Sequence, residues 1–226
     1  MNNIKINLAE IKNKIKIAAD KCSRNFDDIT LIAVSKRHSV NDIKQAYEAG
    51  HRDFGENYAQ ELRDKAKELS GLNINWHFIG HLQSNKIKYV APYAYMMECV
   101  DSVRTAKEFS RQSHKCGKKI NVLLQVNIGN EPQKHGCSVE ESGDIIKSIS
   151  LLGGITVKGL MAITPVSPQK EDSRKYFAAL RELRDSLGGK QLLPHLSMGM
   201  SRDFDIAIEE GATIIRVGTA IFGERP

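Results

Sequence analysis

At 226 residues the chain suits one large domain or two small ones with a substantial buried core, and its 41% hydrophobic and 27% charged residues are ordinary for a globular protein. The net charge of +6 is spread along the whole chain, and short basic runs such as Lys118-Lys119 lack interleaved aromatics, so solvated helix faces are expected and no nucleic-acid surface. No apolar run is long enough to cross a bilayer, and four scattered cysteines without a CxxC pair point to reduced thiols in a cytoplasm.

Along the chain, Ile4, Leu8, Ile11, Ile15, Ala19 and Cys22 recur at helical spacing and predict an amphipathic first helix. Lysines interleaved with its isoleucines, together with Glu10, argue against a secretory signal or transit peptide. Strand-like runs follow at 29–35, 53–56, 75–80, 94–99, 120–127, 155–163, 192–198 and 213–218. Between them lie helical segments at 40–49, 57–69, 83–90, 102–116, 138–150, 170–187 and 202–210. Ser39 and Asp101-Ser102 are good helix-starting signals, and Gly50, Gly117 and Gly211 stand where left-handed caps are needed.

Alternating strands and helices imply parallel pairing through right-handed crossovers. Eight such strands predict a single (β/α)8 TIM barrel over residues 1–226, with the first helix as an extra layer. An open doubly wound sheet is the alternative, weakened because no GxGxxG follows the first strand. The stretch "GNEPQKHG" at 129–136 reads as a functional or mobile loop.

In such a barrel the working groups collect at the C-terminal strand ends. The first strand ends at Lys36, the second runs into "GENY", the seventh into "GMSRD" and the eighth into "RVGTAIFG". The last two occupy the positions where barrels often hold a phosphate: Ser201 supplies a hydroxyl or an N-cap, and Gly218 with Thr219 supplies backbone N–H groups and a hydroxyl. Arg216, two residues before Gly218, faces the same side and can contact a ligand or pair with a carboxylate. Lys36 can be a surface cation, a phosphate partner or an amine that attacks a carbonyl. Only the neutral amine attacks, and desolvation with a second cation nearby favours that form. An amine opposite a phosphate loop fits an aldehyde-bearing phosphate ester.

Other constellations are less persuasive. His77 and His81 straddle a strand end, where their spacing does not join them, and read as structural histidines without a metal. "LSMGMS" is not GxSxG, Glu140-Glu141 reads as helix-start charge, and Tyr58 reads as a partly buried aromatic, not a base.

The segments "AVSK", "AGHRDFGENYAQEL", "WHFIGHLQSNK", "GLMAI" and "LSMGMSRDFDIAIEEGATIIRVGTAIFGER" together resemble the pyridoxal phosphate homeostasis proteins, from about Val34 to Arg225. The resemblance implies a single barrel similar to the N-terminal domain of alanine racemase, binding pyridoxal 5′-phosphate (PLP). It implies an internal aldimine at Lys36, phosphate contacts from Ser201, Gly218 and Thr219, Arg216 facing the pyridine nitrogen, and Asn57 near the ring. Lys134 matches a lysine of a loop with secondary cofactor contacts, while "RHSV" after Lys36 departs from the family's usual "TKP"-like continuation. The implied role is PLP homeostasis and delivery to PLP-dependent apoenzymes by a monomer, without established turnover. An arginine at the pyridine nitrogen weakens the ring as an electron sink, and a racemase needs a second base. Two alternatives stay open: a PLP-dependent amino acid racemase, and a Schiff-base aldolase or isomerase on a sugar phosphate.

Overall fold

Alternation along the first strand sets the layering of the molecule. In β1 (Thr30–Val34), Leu31 and Ala33 join the large apolar cluster beneath the helices, whereas Ile32 and Val34 belong to a second cluster. Met96, Leu123, Met161 and Ile214 from other strands complete that second, inner cluster. Burial on both faces is what a parallel sheet acquires when it closes under a helical shell.

The computed structural model describes residues 3–224. After β1 come β2 (Asp53–Glu56), β3 (Asn75–Phe78), β4 (Ala94–Val100), β5 (Ile120–Gln125), β6 (Ile155–Met161), β7 (His195–Ser197) and β8 (Ile214–Val217). All pair in parallel and in chain order, and β8 returns to β1 with Ile32 opposite Arg216, so the expected eight-stranded barrel is closed.

The shell comprises α2 (Val40–Glu48), α3 (Ala59–Glu68), α4 (Ile87–Val90), α5 (Val103–Lys115), α6 (Val139–Ser150), α7 (Arg174–Ser186), α8 (Gly189–Leu192), α9 (Phe204–Glu209) and α10 (Thr219–Phe222). The extra helix α1 (Ile4–Lys21) packs against α9, α10 and α2. It buries Ile4, Leu8, Ile11, Ile15, Ala18 and Ala19, while Cys22 lies just past its end and is half-buried. Each isoleucine so buried contributes roughly 1.5–3 kcal/mol of transfer free energy. Among the described residues no helix is long and apolar enough to cross a membrane.

Several boundaries differ from the sequence expectation. The segment 192–198 yields only β7, because Leu192 ends α8 and Pro194, which has no N–H, separates the two. The segment 83–90 divides into a 3-10 turn, Ser84–Lys86, and the short α4. Helix α9 begins at Phe204, and Ser201 does not cap it. The Asp203 carboxylate instead accepts the Met200 N–H at 2.8 Å and folds 200–203 into a separate turn. Similarly α3 begins at Ala59, leaving Asn57 and Tyr58 in the loop after β2.

Candidate functional site

Inward parity along β1 continues from Ile32 and Val34 to Lys36, which emerges half-buried at the barrel mouth. A cavity of about 160 Å³ opens there, lined by Val34, Lys36, Asn57, Ile79, Ile163, Met200, Ser201, Arg216, Gly218 and Thr219. The fold thus gathers all six candidate residues, from β8 and the ends of β1, β2, β7 and β8, around one space. The Asn57 Oδ1 atom is buried without a hydrogen-bond partner among the described residues, an acceptor left for a donor in the cavity. The glycine at 80 lets the loop after β3 lie against Asn57; a Cβ there would stand 2.4 Å from the Asn57 carbonyl oxygen. At the phosphate-type end, Gly218 begins the turn into α10, and Thr219 and Ser201 are exposed.

Arg216 forms part of the cavity wall and is only 5% exposed. Its guanidinium donates to Ser197 Oγ at 2.5 Å and to the Ala162 carbonyl at 2.9 Å, with Glu98 4.0 Å away. Ser197 donates in turn to Glu98 Oε2 at 2.5 Å. Glu98 and Asp53 flank His77, at 3.0 Å from Nδ1 and 3.2 Å from Nε2. Burial alone would lower the His77 pKa, but hydrogen bonds and charge from Asp53 and Glu98 hold it up at about 9. Burial opposes ionisation of Glu98 as well, yet His77 and Arg216 keep its carboxyl below the usual range. Arg216 is thus both a cavity residue and the end of a buried ionic chain. Burial itself pushes its pKa down.

The chain as a whole is similar to known proteins. The family model for the alanine racemase N-terminal domain matches residues 6–226. A protein of Aquifex aeolicus called pyridoxal phosphate homeostasis protein is 40% identical over 220 residues, covering 96% of each chain. Its namesake in Escherichia coli K12 is 40% identical over 231 residues, covering 100% of this chain and 98% of that one. The chain belongs to the pyridoxal phosphate homeostasis protein family. The solved structure of PipY from Synechococcus elongatus with PLP bound superposes with a TM-score of 0.85 at 35% identity, covering 97% of this chain and all of that one. An alanine racemase of Clostridium difficile shares the fold, with a TM-score of 0.78 at 18% identity, and this chain covers 57% of it.

In this member of the homeostasis family, Lys134 lies outside the residues lining the cavity. Its ammonium donates to the Thr164 carbonyl at 2.9 Å and pairs with Glu131, tying the 129–136 loop to the loop after β6. The two sequence-flagged histidines behave differently. His77 is buried and structural, but His81 is exposed and stacks on His135 with centroids 3.7 Å apart. Glu141 closes a capping box with Ser138 at the start of α6. Tyr58 is exposed, and its hydroxyl meets Arg37 at 3.2 Å. Sequence reasoning missed the Glu98–Ser197–Arg216 chain, whose members lie far apart in sequence. It also missed Lys65, although a lysine inside the apolar stripe of Leu62, Ala66 and Leu69 was a visible signal.

Proposed function

We propose that this chain binds pyridoxal 5′-phosphate at the barrel mouth and acts in intracellular PLP homeostasis and delivery as a cytoplasmic monomer. The observation that carries the reading is the single cavity in which Lys36, Asn57, Ser201, Arg216, Gly218 and Thr219 meet. The residues fit the cofactor: an amine for an aldehyde, hydroxyls and a glycine turn for a phosphate, and an Asn57 acceptor, without a partner among the described residues, for the ring's 3-hydroxyl. Bound there, PLP supplies an aldehyde and an electron-poor ring. Lys36 would hold the aldehyde through its amine, a reversible condensation that releases one water and needs no oxidant or reductant. Ser201, Gly218 and Thr219 would hold the phosphate end, and Arg216 would present a cation to the pyridine nitrogen.

The composition of the cavity wall supports a carrier more than a racemase. Among the described residues its ionisable members are Lys36 and Arg216, with no carboxylate, histidine or tyrosine lining it to serve as the second base of a two-base proton transfer. The names of the relatives point the same way.

Borohydride reduction of the PLP-loaded protein, followed by peptide mapping, should place a pyridoxyl group on Lys36, and Lys36→Ala should abolish the visible absorbance. A colourless wild type after incubation with PLP sinks the cofactor reading. Lys36-dependent change in the optical rotation of an added amino acid would establish the racemase instead. Arg216→Ala should still capture PLP, with altered imine absorbance; an unchanged spectrum would remove Arg216 from the ring.

A further inference from the structure

Lys36 lies between two peptide units, and both are anchored to one buried ionic cluster outside the cavity. Glu56 follows Phe54 on the outward face of β2 and is fully buried against α3. Lys65 of α3 is 6% exposed and donates to Glu56 Oε1 at 2.8 Å, to Glu61 Oε1 at 2.6 Å and to the Ser35 carbonyl at 2.7 Å. Ser35 Oγ also donates to Glu56 Oε1 at 2.7 Å, and Glu61 Oε1 accepts the Arg37 N–H at 2.6 Å. The Ser35 carbonyl belongs to the peptide entering Lys36, and the Arg37 N–H to the peptide leaving it. One ammonium therefore ties together both planes that bound the Lys36 Cα.

The backbone at Arg37 needs such a restraint. Its φ of +63° lies in the left-handed region that a residue with a Cβ enters only at a cost. The cluster is also a poor way to gain stability. Burial raises the Glu56 pKa to about 7 despite Lys65 and Ser35, and its Oε2 atom has no hydrogen-bond partner among the described residues. Apolar residues in the same volume would hold the fold about as well, so the ions are better explained by the geometry they impose.

We propose that Lys65, with Glu56 and Glu61, is a positioning clamp that fixes the two peptides around Lys36 and delivers its amine into the cavity in one orientation. The proposal rests on the reading of Lys36 as the aldehyde-capturing group. None of the three clamp residues lines the cavity, so loss of the clamp should slow covalent capture without weakening the preceding non-covalent contact.

Stopped-flow absorbance after mixing apoprotein with PLP measures capture, and equilibrium dialysis in a Lys36→Ala background measures non-covalent binding. Lys65→Met and Glu61→Leu are each expected to slow capture about 10- to 100-fold, the scale on which small misplacements act. In the Lys36→Ala background the same changes should leave PLP affinity within about twofold, since no cavity-lining residue is altered. Lys65→Arg should recover part of the rate. Arg37→Gly should do so in the Glu61→Leu background, because glycine adopts positive φ without strain. The exposed Lys67→Met serves as a control at wild-type rate. Should Lys65→Met fail to fold, Glu61→Leu and its Arg37→Gly suppressor decide the matter. Wild-type capture in folded Glu61→Leu, or an equal loss of non-covalent affinity, overturns the clamp. A wild type that yields no reducible lysine adduct overturns the function on which the clamp rests, a result distinct from either.

Discussion

His77 is 1% exposed, yet Asp53 and Glu98 make it a cation at neutral pH by holding its pKa up at about 9 against the opposing effect of burial. A folded-state value above the ordinary 6.5 means that this stabilisation is complete below about pH 6.5 and lost as pH rises through 9. Glu98, whose pKa is lowered, contributes with the opposite sign: its share is present above its unfolded value and lost as pH falls. His77→Gln should cost up to about 3–5 kcal/mol at pH 7, because buried Glu98 and half-buried Asp53 then lose their shared cation. It should also flatten the alkaline fall in stability. Urea midpoints at pH 6, 8 and 10 check this; parallel curves for wild type and variant would refute it. A structural role for His77 was legible in the sequence, but its charge was not, because its partners lie 24 and 21 residues away on neighbouring strands. Gly80 carries a second expectation at this scale. Gly80→Ala places a Cβ 2.4 Å from the Asn57 carbonyl, so the Asn57 loop must shift. Overpacking of this kind costs about 1–3 kcal/mol, and PLP affinity measured by dialysis should fall with it.

Elements with strong terminal signals were the legible ones. Ser39 caps α2 in a capping box with Asp42, donating to the carboxylate at 2.8 Å and accepting the Asp42 N–H at 3.1 Å. The same few residues leave Lys36 in the cavity and seat His38 on Phe222 of α10, with ring centroids 4.9 Å apart. The His38–Phe222 stack therefore joins the lysine loop to α10, which follows the phosphate-type turn. Ser39→Ala should lower stability by about 1 kcal/mol, read from denaturant midpoints, with no change in slope. Where apolar composition was the only guide, boundaries slipped. "LLPHLSM" has the hydrophobicity of a strand throughout, but Pro194 interrupts the backbone pairing and leaves β7 with three residues. Ser201 is of a capping residue type but lies three residues ahead of α9, and Asp203 holds the intervening turn. Short-range hydrogen bonding of this kind leaves little trace in hydrophobic periodicity.

Across the whole molecule, the cavity joins residues from Val34 to Thr219, nearly the full span between β1 and β8. Lys36 and Gly218 meet only because the last strand closes on the first, with Ala33 opposite Val217. A Cβ on Gly218 would lie 3.3 Å from the Val34 carbonyl, so the seam and the phosphate-type turn are packed against each other. That these six residues share one cavity was legible because barrels expose strand ends at one face. The ionic supports behind it were not, since they depend on which neighbouring strands and helices face one another. A ligand that needs this seam binds the closed barrel and not the unfolded chain, so its binding free energy adds to stability. At free PLP about 100-fold above its Kd, the gain should be about 2.7 kcal/mol. Thermal unfolding of the apoprotein across a PLP series measures it: the midpoint should climb with concentration in the wild type and climb less in Lys36→Ala, which keeps only non-covalent contacts. Unfolding midpoints independent of PLP in the wild type would separate the cofactor from this seam and return Lys36 to the status of a cation at a strand end.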